Sequence, residues 1–187
     1  MAIRVYIDQG HNPVSPNTGA ERNGLTEQEI TYEVGRLLYE KLRANPNYEA
    51  RLSRPTPTTQ LGTSNAGSLR ARVQGAEDFG ADLFLSIHTN ASVNSSASGS
   101  EALVYRVDST AGRIVESLLR SMTRLTGLRN RGVIARPGLY VLRKTSMPAV
   151  LMEIGFISNP GDAALMRDNP DLFAEGLYRG LNAYYGF

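Results

Sequence analysis

The run Leu83-Phe-Leu-Ser-Ile-His-Thr-Asn-Ala91 constrains the fold more than any other stretch. Leu83, Phe84, Leu85 and Ile87 are apolar, with only the small Ser86 between them. A strand made of these residues is buried on both faces, which is the mark of a parallel sheet covered by helices. The run ends at His88, and Thr89 and Asn90 behind it favour loops. Open α/β sheets bind ligands beyond the carboxyl ends of their strands, so His88 stands where a site is expected. Taken alone, it also reads as a histidine satisfied by core hydrogen bonds.

The chain has two histidines, and the other is placed the same way. Ile3 to Asp8 reads as a first strand and runs into Gln9-Gly10-His11-Asn12-Pro13. Gly10 gives backbone freedom and Pro13 stops any helix, so His11 falls on a tight loop after the strand. Asp8, three residues earlier, is expected to orient the His11 imidazole as a supporting carboxylate. Thr26 and Glu29 form a Thr-x-x-Glu capping box, ahead of Ile30, Val34, Leu37, Leu38 and Leu42 at helical spacing. Capping occupies Glu29. Glu27 is left free to point out of the helix start, where its alternative role is interaction with the helix dipole. Glu21 in the preceding loop is a weaker candidate.

Further along, Tyr48 to Ser53 reads as a short strand and Ser68 to Phe79 as a helix ended by Gly80. Ser92 to Ser100 reads as a flexible loop beside the proposed site. Glu101 to Val107 is expected as a strand, Thr110 to Leu125 as a helix, Leu128 to Gly138 as a loop and Leu139 to Leu142 as a strand. Pro148 to Ile157 is a second buried strand, with one acid, Glu153, inside an apolar run. An unpaired buried carboxylate is costly, so such a residue is paired, protonated or functional. Ser158-Asn159-Pro160 then opens a helix with Asp162 in its first turn, and Pro170 to Tyr185 forms the last helix. Strand–helix–strand order implies right-handed crossovers and a parallel core. The expectation is one three-layer α/β domain over residues 1–187, with a twisted, mostly parallel sheet of about six strands flanked by helices.

Composition narrows the chemistry. No cysteine is present, which excludes disulfides, thiolate catalysis and Cys-ligated zinc and suits an oxidising or extracellular setting. A net charge of +2 without a Lys/Arg block does not argue for nucleic acid. No apolar run approaches the roughly 18 residues needed to span a bilayer. Ile3 already begins a strand, so no signal peptide and no export route are legible.

His11, Glu27, His88 and Glu153 can be read together as a hydrolytic zinc site. Catalytic zinc takes three protein ligands and keeps a position for water, and two His with one Glu is a known set. His11, Glu27 and His88 would hold one zinc ion. Glu153 would be the general base that activates water and later protonates the leaving nitrogen, with a pKa raised by its apolar setting.

Four blocks of the chain, Asp8-Gln-Gly-His11, Leu25-Thr-Glu27, Ser86-Ile-His-Thr-Asn-Ala91 and Met152-Glu-Ile-Gly-Phe-Ile-Ser-Asn-Pro160, resemble the signature blocks of the zinc-dependent N-acetylmuramoyl-L-alanine amidases of the amidase-3 family. They occur in that family's order. The resemblance implies a phosphorylase/hydrolase-like twisted sheet flanked by helices. It implies cleavage of the amide between the lactyl group of N-acetylmuramic acid and L-alanine of the peptidoglycan stem. It also implies His11, Glu27 and His88 as ligands and Glu153 as the catalytic carboxylate, with Asp8 and Asn90 in supporting or substrate-binding places. Peptidoglycan is the implied partner and the cell wall or extracellular space the site of action. The family's first block usually has Pro before the Gly and Gly-Gly after the His; Gln9 and Asn12-Pro13 stand there here, so a differently shaped ligand loop is expected. An Asn often found before the second histidine's strand is Glu77. The loops look too short for the inserted helix that plugs some relatives, which implies activity without an obligate protein partner. With no separate wall-binding module legible, targeting falls to the catalytic domain, a missing segment or a partner protein. Two rivals share the residue set: a zinc peptidase cutting within the stem peptide, and a non-catalytic peptidoglycan-binding module.

Overall fold

Residues 1–187 are all described in the structure, a computed structural model. Its strands are β1 (Ile3–Gln9), β2 (Glu21–Arg22), β3 (Leu25–Thr26), β4 (Tyr48–Leu52), β5 (Leu83–Asn90), β6 (Ser100–Val104), β7 (Asn130–Ala135) and β8 (Ala149–Phe156). The helices are α1 (Glu27–Arg43), α2 (Asn65–Phe79), α3 (Thr110–Thr126), α4 (Tyr140–Lys144), α5 (Pro160–Asp168) and α6 (Pro170–Tyr185). Six strands form one sheet in the order β4-β1-β5-β8-β6-β7, and β2 pairs with β3 in a separate ribbon. β4, β1, β5 and β8 run parallel. β6 is antiparallel to β8, and β7 follows β6 in parallel.

Both faces of the sheet are covered, as the runs around Leu83 and Val150 require. On one face Val5, Ile7, Leu83, Leu85, Val150 and Met152 pack against apolar positions of α1, α3 and α6. On the other, Tyr6, Phe84, Leu103 and Leu151 meet Val73, Ala76 and Phe79 of α2 and Val141 and Leu142 of α4. The first core holds 26 buried residues and the second 11, so the second face has the thinner cover. Gly176 and Gly180 of α6 lie so close to α3 that an added Cβ would collide with Cα of Met122 and come within 2.6 Å of Cα of Leu118. These two helices therefore touch backbone to backbone.

Four expectations change. Leu139–Leu142, expected as a strand, leads into helix α4, with Val141 and Leu142 buried in the thinner core. Four apolar residues do not by themselves distinguish a strand from a buried helical turn. The expected loop Leu128–Gly138 contains β7, an edge strand bonded only to β6, whose exposed positions weaken the alternation. β6 is shorter than expected, ending at Val104. The capping box also takes another form. Thr26 is the N-cap, but its hydroxyl donates to Glu29 at 2.5 Å and accepts no backbone N–H. The Glu27 N–H is taken by the Ala20 carbonyl instead.

Candidate metal centre

Parallel β1, β5 and β8 end on the same edge of the sheet, and that edge gathers the titratable residues. His11 lies two residues past β1, His88 near the end of β5, and Glu27 at the first position of α1, delivered by the β2–β3 ribbon. The Asn23 amide donates to the Ile157 carbonyl and ties that ribbon down beside the end of β8. Nε2 of His11 is 3.2 Å from Glu27 Oε2, and Nδ1 of His88 is 3.1 Å from Glu27 Oε1. The two rings meet edge to face, with centroids 4.9 Å apart. Donor atoms of His11, Glu27 and His88 all lie within 4.8 Å of one another.

The set fits a divalent metal. Two N or O ligands of a tetrahedral zinc, each about 2.1 Å from it, stand roughly 3.4 Å apart, close to the His–Glu separations here. Ligand carboxylates must be ionised to bind metal. Burial alone would raise the Glu27 pKa, but hydrogen bonds and charge from the two imidazoles outweigh it and hold the carboxyl well below the usual range. Two glycines make room for the cluster. A Cβ on Gly10 would meet His88 Cε1 at 2.6 Å, and one on Gly19 would meet Glu27 Oε2 at 2.7 Å.

The His11 loop is anchored from below the sheet. His11 has φ +66°, the left-handed region, at a cost of about 1 kcal/mol for a residue with a Cβ. Arg72 of α2, 2% exposed, donates to the carbonyls of Gln9 and His11 and to the Asp8 carboxylate. Asp8 thus bonds Arg72, and Ser86 through its hydroxyl, not the His11 ring that the sequence suggested. A carboxylate so deep requires a charged partner, and Arg72 reaches it first; the effect of Asp8 on His11 passes through the guanidinium. Asn12 is fully buried and crosses the loop with bonds to Pro16 and Leu61.

Glu153 is set beside this cluster by register. It lies opposite His88 on β5 and Glu101 on β6, and register partners on neighbouring strands project to the same face. His88, Glu153 and Glu101 therefore form a row across the sheet edge. Glu153 Oε2 is enclosed without a hydrogen-bond partner. Burial, and then the charges of Glu27 and Glu101, push its pKa up to about 8. Such a carboxyl can both take and return a proton near neutral pH.

The profile of the family described as N-acetylmuramoyl-L-alanine amidase (amidase-3) matches residues 5–183. This chain belongs to that family. Among its relatives, N-acetylmuramoyl-L-alanine amidase LytC of Bacillus subtilis (strain 168) is 33% identical over 185 residues, covering 97% of this chain and 35% of that protein. CwlM of Bacillus licheniformis is 32% identical over 180 residues, covering 95% of this chain and 65% of its own length. The amidase-family chain thus spans less than two thirds of either relative. The catalytic domain of CwlV from Bacillus (Paenibacillus) polymyxa var. colistinus superimposes with a TM-score of 0.86 at 30% identity over 98% of each chain.

In this amidase-family chain, Glu21 stays exposed on the ribbon and outside the cluster. The Asn90 amide donates to Glu101 Oε1 at 2.8 Å, and Arg131 Nε donates to Glu101 Oε2 at 2.9 Å. The Ser92–Ser100 loop, expected to be flexible, is tied through Ser92 to Ser158, Ser95 to Asn159, and Ser98 and Gly99 to Asp162. Sequence reasoning missed Arg72, Glu101 and Arg131. Arg72 had left a signal, since it lies in line with Leu69 and Ala76 on the apolar face of α2, where a charge calls for a buried partner. Glu101 and Arg131 had none, because their place depends on strand order.

Proposed function

We propose that residues 1–187 form one catalytic domain that hydrolyses the amide between the lactyl group of N-acetylmuramic acid and L-alanine in peptidoglycan, with one zinc ion held by His11, Glu27 and His88. The observation that carries this is the enclosed, unpartnered Glu153 in register beside a convergent His–Glu–His set, in a chain of the amidase family. Zinc in such a set lowers the pKa of water and polarises a carbonyl. The protein's residues do the rest. Glu27 is kept ionised by the two imidazoles, and Arg72 fixes the backbone that carries His11. Glu153, with its pKa near neutrality, takes the proton of the attacking water and returns it to the leaving alanine nitrogen. Asn90 and Arg131 hold Glu101 beside it. No helix is long and apolar enough to cross a membrane, and the substrate places the reaction at the cell wall, outside the membrane.

Digestion of purified peptidoglycan followed by mass spectrometry tests the reading. Free stem peptides beginning at L-alanine, with intact lactyl ethers on the glycan, are expected. Shortened stems still attached to sugar would mean a peptidase. No release of either, with zinc bound, would mean a binding module.

A further inference from the structure

Arg131 occupies a backbone irregularity that aims it at the reaction centre. β6 and β7 pair in parallel, with Ser100 opposite Asn130 and Ala102 opposite Val133. Glu101 therefore faces two residues, Arg131 and Gly132, and Gly132 takes φ +91° to make this possible. Bulges are rare in parallel pairs and re-aim side chains beside active sites. Here the bulge sends Arg131 back over β6. Its Nε donates to Glu101 Oε2 at 2.9 Å, its Nη1 to the Ser98 carbonyl at 3.3 Å, and its guanidinium covers the Phe156 ring at 5.0 Å. These contacts fix the plane of the fork and leave Nη2 without a protein acceptor, on a side chain 33% exposed.

We propose that Arg131 is a specificity-determining residue that receives the carboxylate carried by the stem peptide one residue beyond the scissile L-alanine. This rests on the amidase reading given above. The distances agree. The leaving nitrogen is protonated by Glu153, and Glu101, one strand away at about 5 Å, holds the guanidinium. An extended peptide rises roughly 3.5 Å per residue, so the α-carboxylate of the second residue falls within about 6 Å of that nitrogen. A fixed planar fork suits a carboxylate better than a mobile ammonium does. Without Arg131, an anionic stem would meet the carboxylate of Glu101 with its guanidinium partner gone.

The test uses zinc-loaded protein and two soluble substrates, N-acetylmuramoyl-L-Ala-D-isoglutamate and the isoglutamine form, in which that one carboxylate is a carboxamide. For the wild type, KM is expected to be about tenfold lower for the carboxylate, the factor that corresponds to roughly 1.4 kcal/mol. Arg131→Met should raise the KM for the carboxylate to the KM that the same variant shows for the carboxamide, erasing the preference; release of Glu101 acts on both substrates alike and cancels in that ratio, and turnover of the carboxamide reports that the variant is folded. Arg131→Lys, which keeps the charge and loses the fork, should fall between. Equal losses on both substrates, or a wild type that cleaves both without preference, overturn the proposal and leave the amidase reading intact. Failure of the wild type to cut either substrate at the lactyl amide overturns both.

Discussion

Replacing Glu153 with glutamine should make the metal-free protein more stable as the pH rises. The folded state holds the Glu153 carboxyl at about 8 against an ordinary 4.5. Below about pH 4.5 both folded and unfolded chains keep the proton, and nothing is lost. Between 4.5 and 8 the unfolded chain releases it while the folded chain retains it, so each pH unit costs the folded state about 1.4 kcal/mol. The full descent is about 5 kcal/mol and levels off above pH 8. The glutamine variant carries no titrating proton at this position and lacks this descent. Urea unfolding of both proteins, stripped of metal, at half-unit steps from pH 5 to 9 measures the difference. The stability gap in favour of Glu153→Gln should widen by several kcal/mol up to pH 8, with equal m-values, and hydrolysis should be lost. Parallel stability curves would refute the assignment of an enclosed, proton-retaining carboxyl at this position.

His88→Ala should lose both bound zinc, measured by elemental analysis, and hydrolysis; full turnover in chelated buffer would sink the metal scheme. Gly10→Ala places a methyl 2.6 Å from His88 Cε1 and 2.7 Å from the Ile87 carbonyl, so both the ring and the end of β5 must shift, and zinc affinity by competition titration should fall at least about tenfold while far-ultraviolet dichroism shows the helices intact. Arg72→Met strands the buried Asp8 carboxylate and should cost about 3–5 kcal/mol in urea unfolding; a cost under about 1 kcal/mol would mean that Asp8 finds another partner.

How much of this was legible in the chain follows from which interactions are local. Strands apolar on both sides, such as Leu83–Ile87, require helices above and below, and both layers are there. His11, Glu27 and His88 announced themselves because each sits where a strand or loop gives way to the next element, and they do converge. The helical turn at Val141–Leu142 was not legible, since its apolar residues satisfy either backbone equally well. β7 was hidden by its position at the sheet edge. Asp8 was assigned to the wrong neighbour because proximity in sequence pointed to His11, whereas the partner that offsets its burial comes from Arg72, 64 residues away. Glu101 became visible only once β6 was seen to run against β8.

That reversal has a practical consequence. A strand that enters the sheet at the catalytic edge returns the chain to the rim it has just left, so residues 91–99 form a closed excursion with both feet, Asn90 and Ser100, on the same shore. Between its anchors to Ser158, Asn159 and Asp162, a free inserted segment costs only about 0.6 kcal/mol for each doubling of its length and disturbs no crossover elsewhere. It is the place where new recognition segments can be grafted onto this scaffold without rebuilding the sheet beneath.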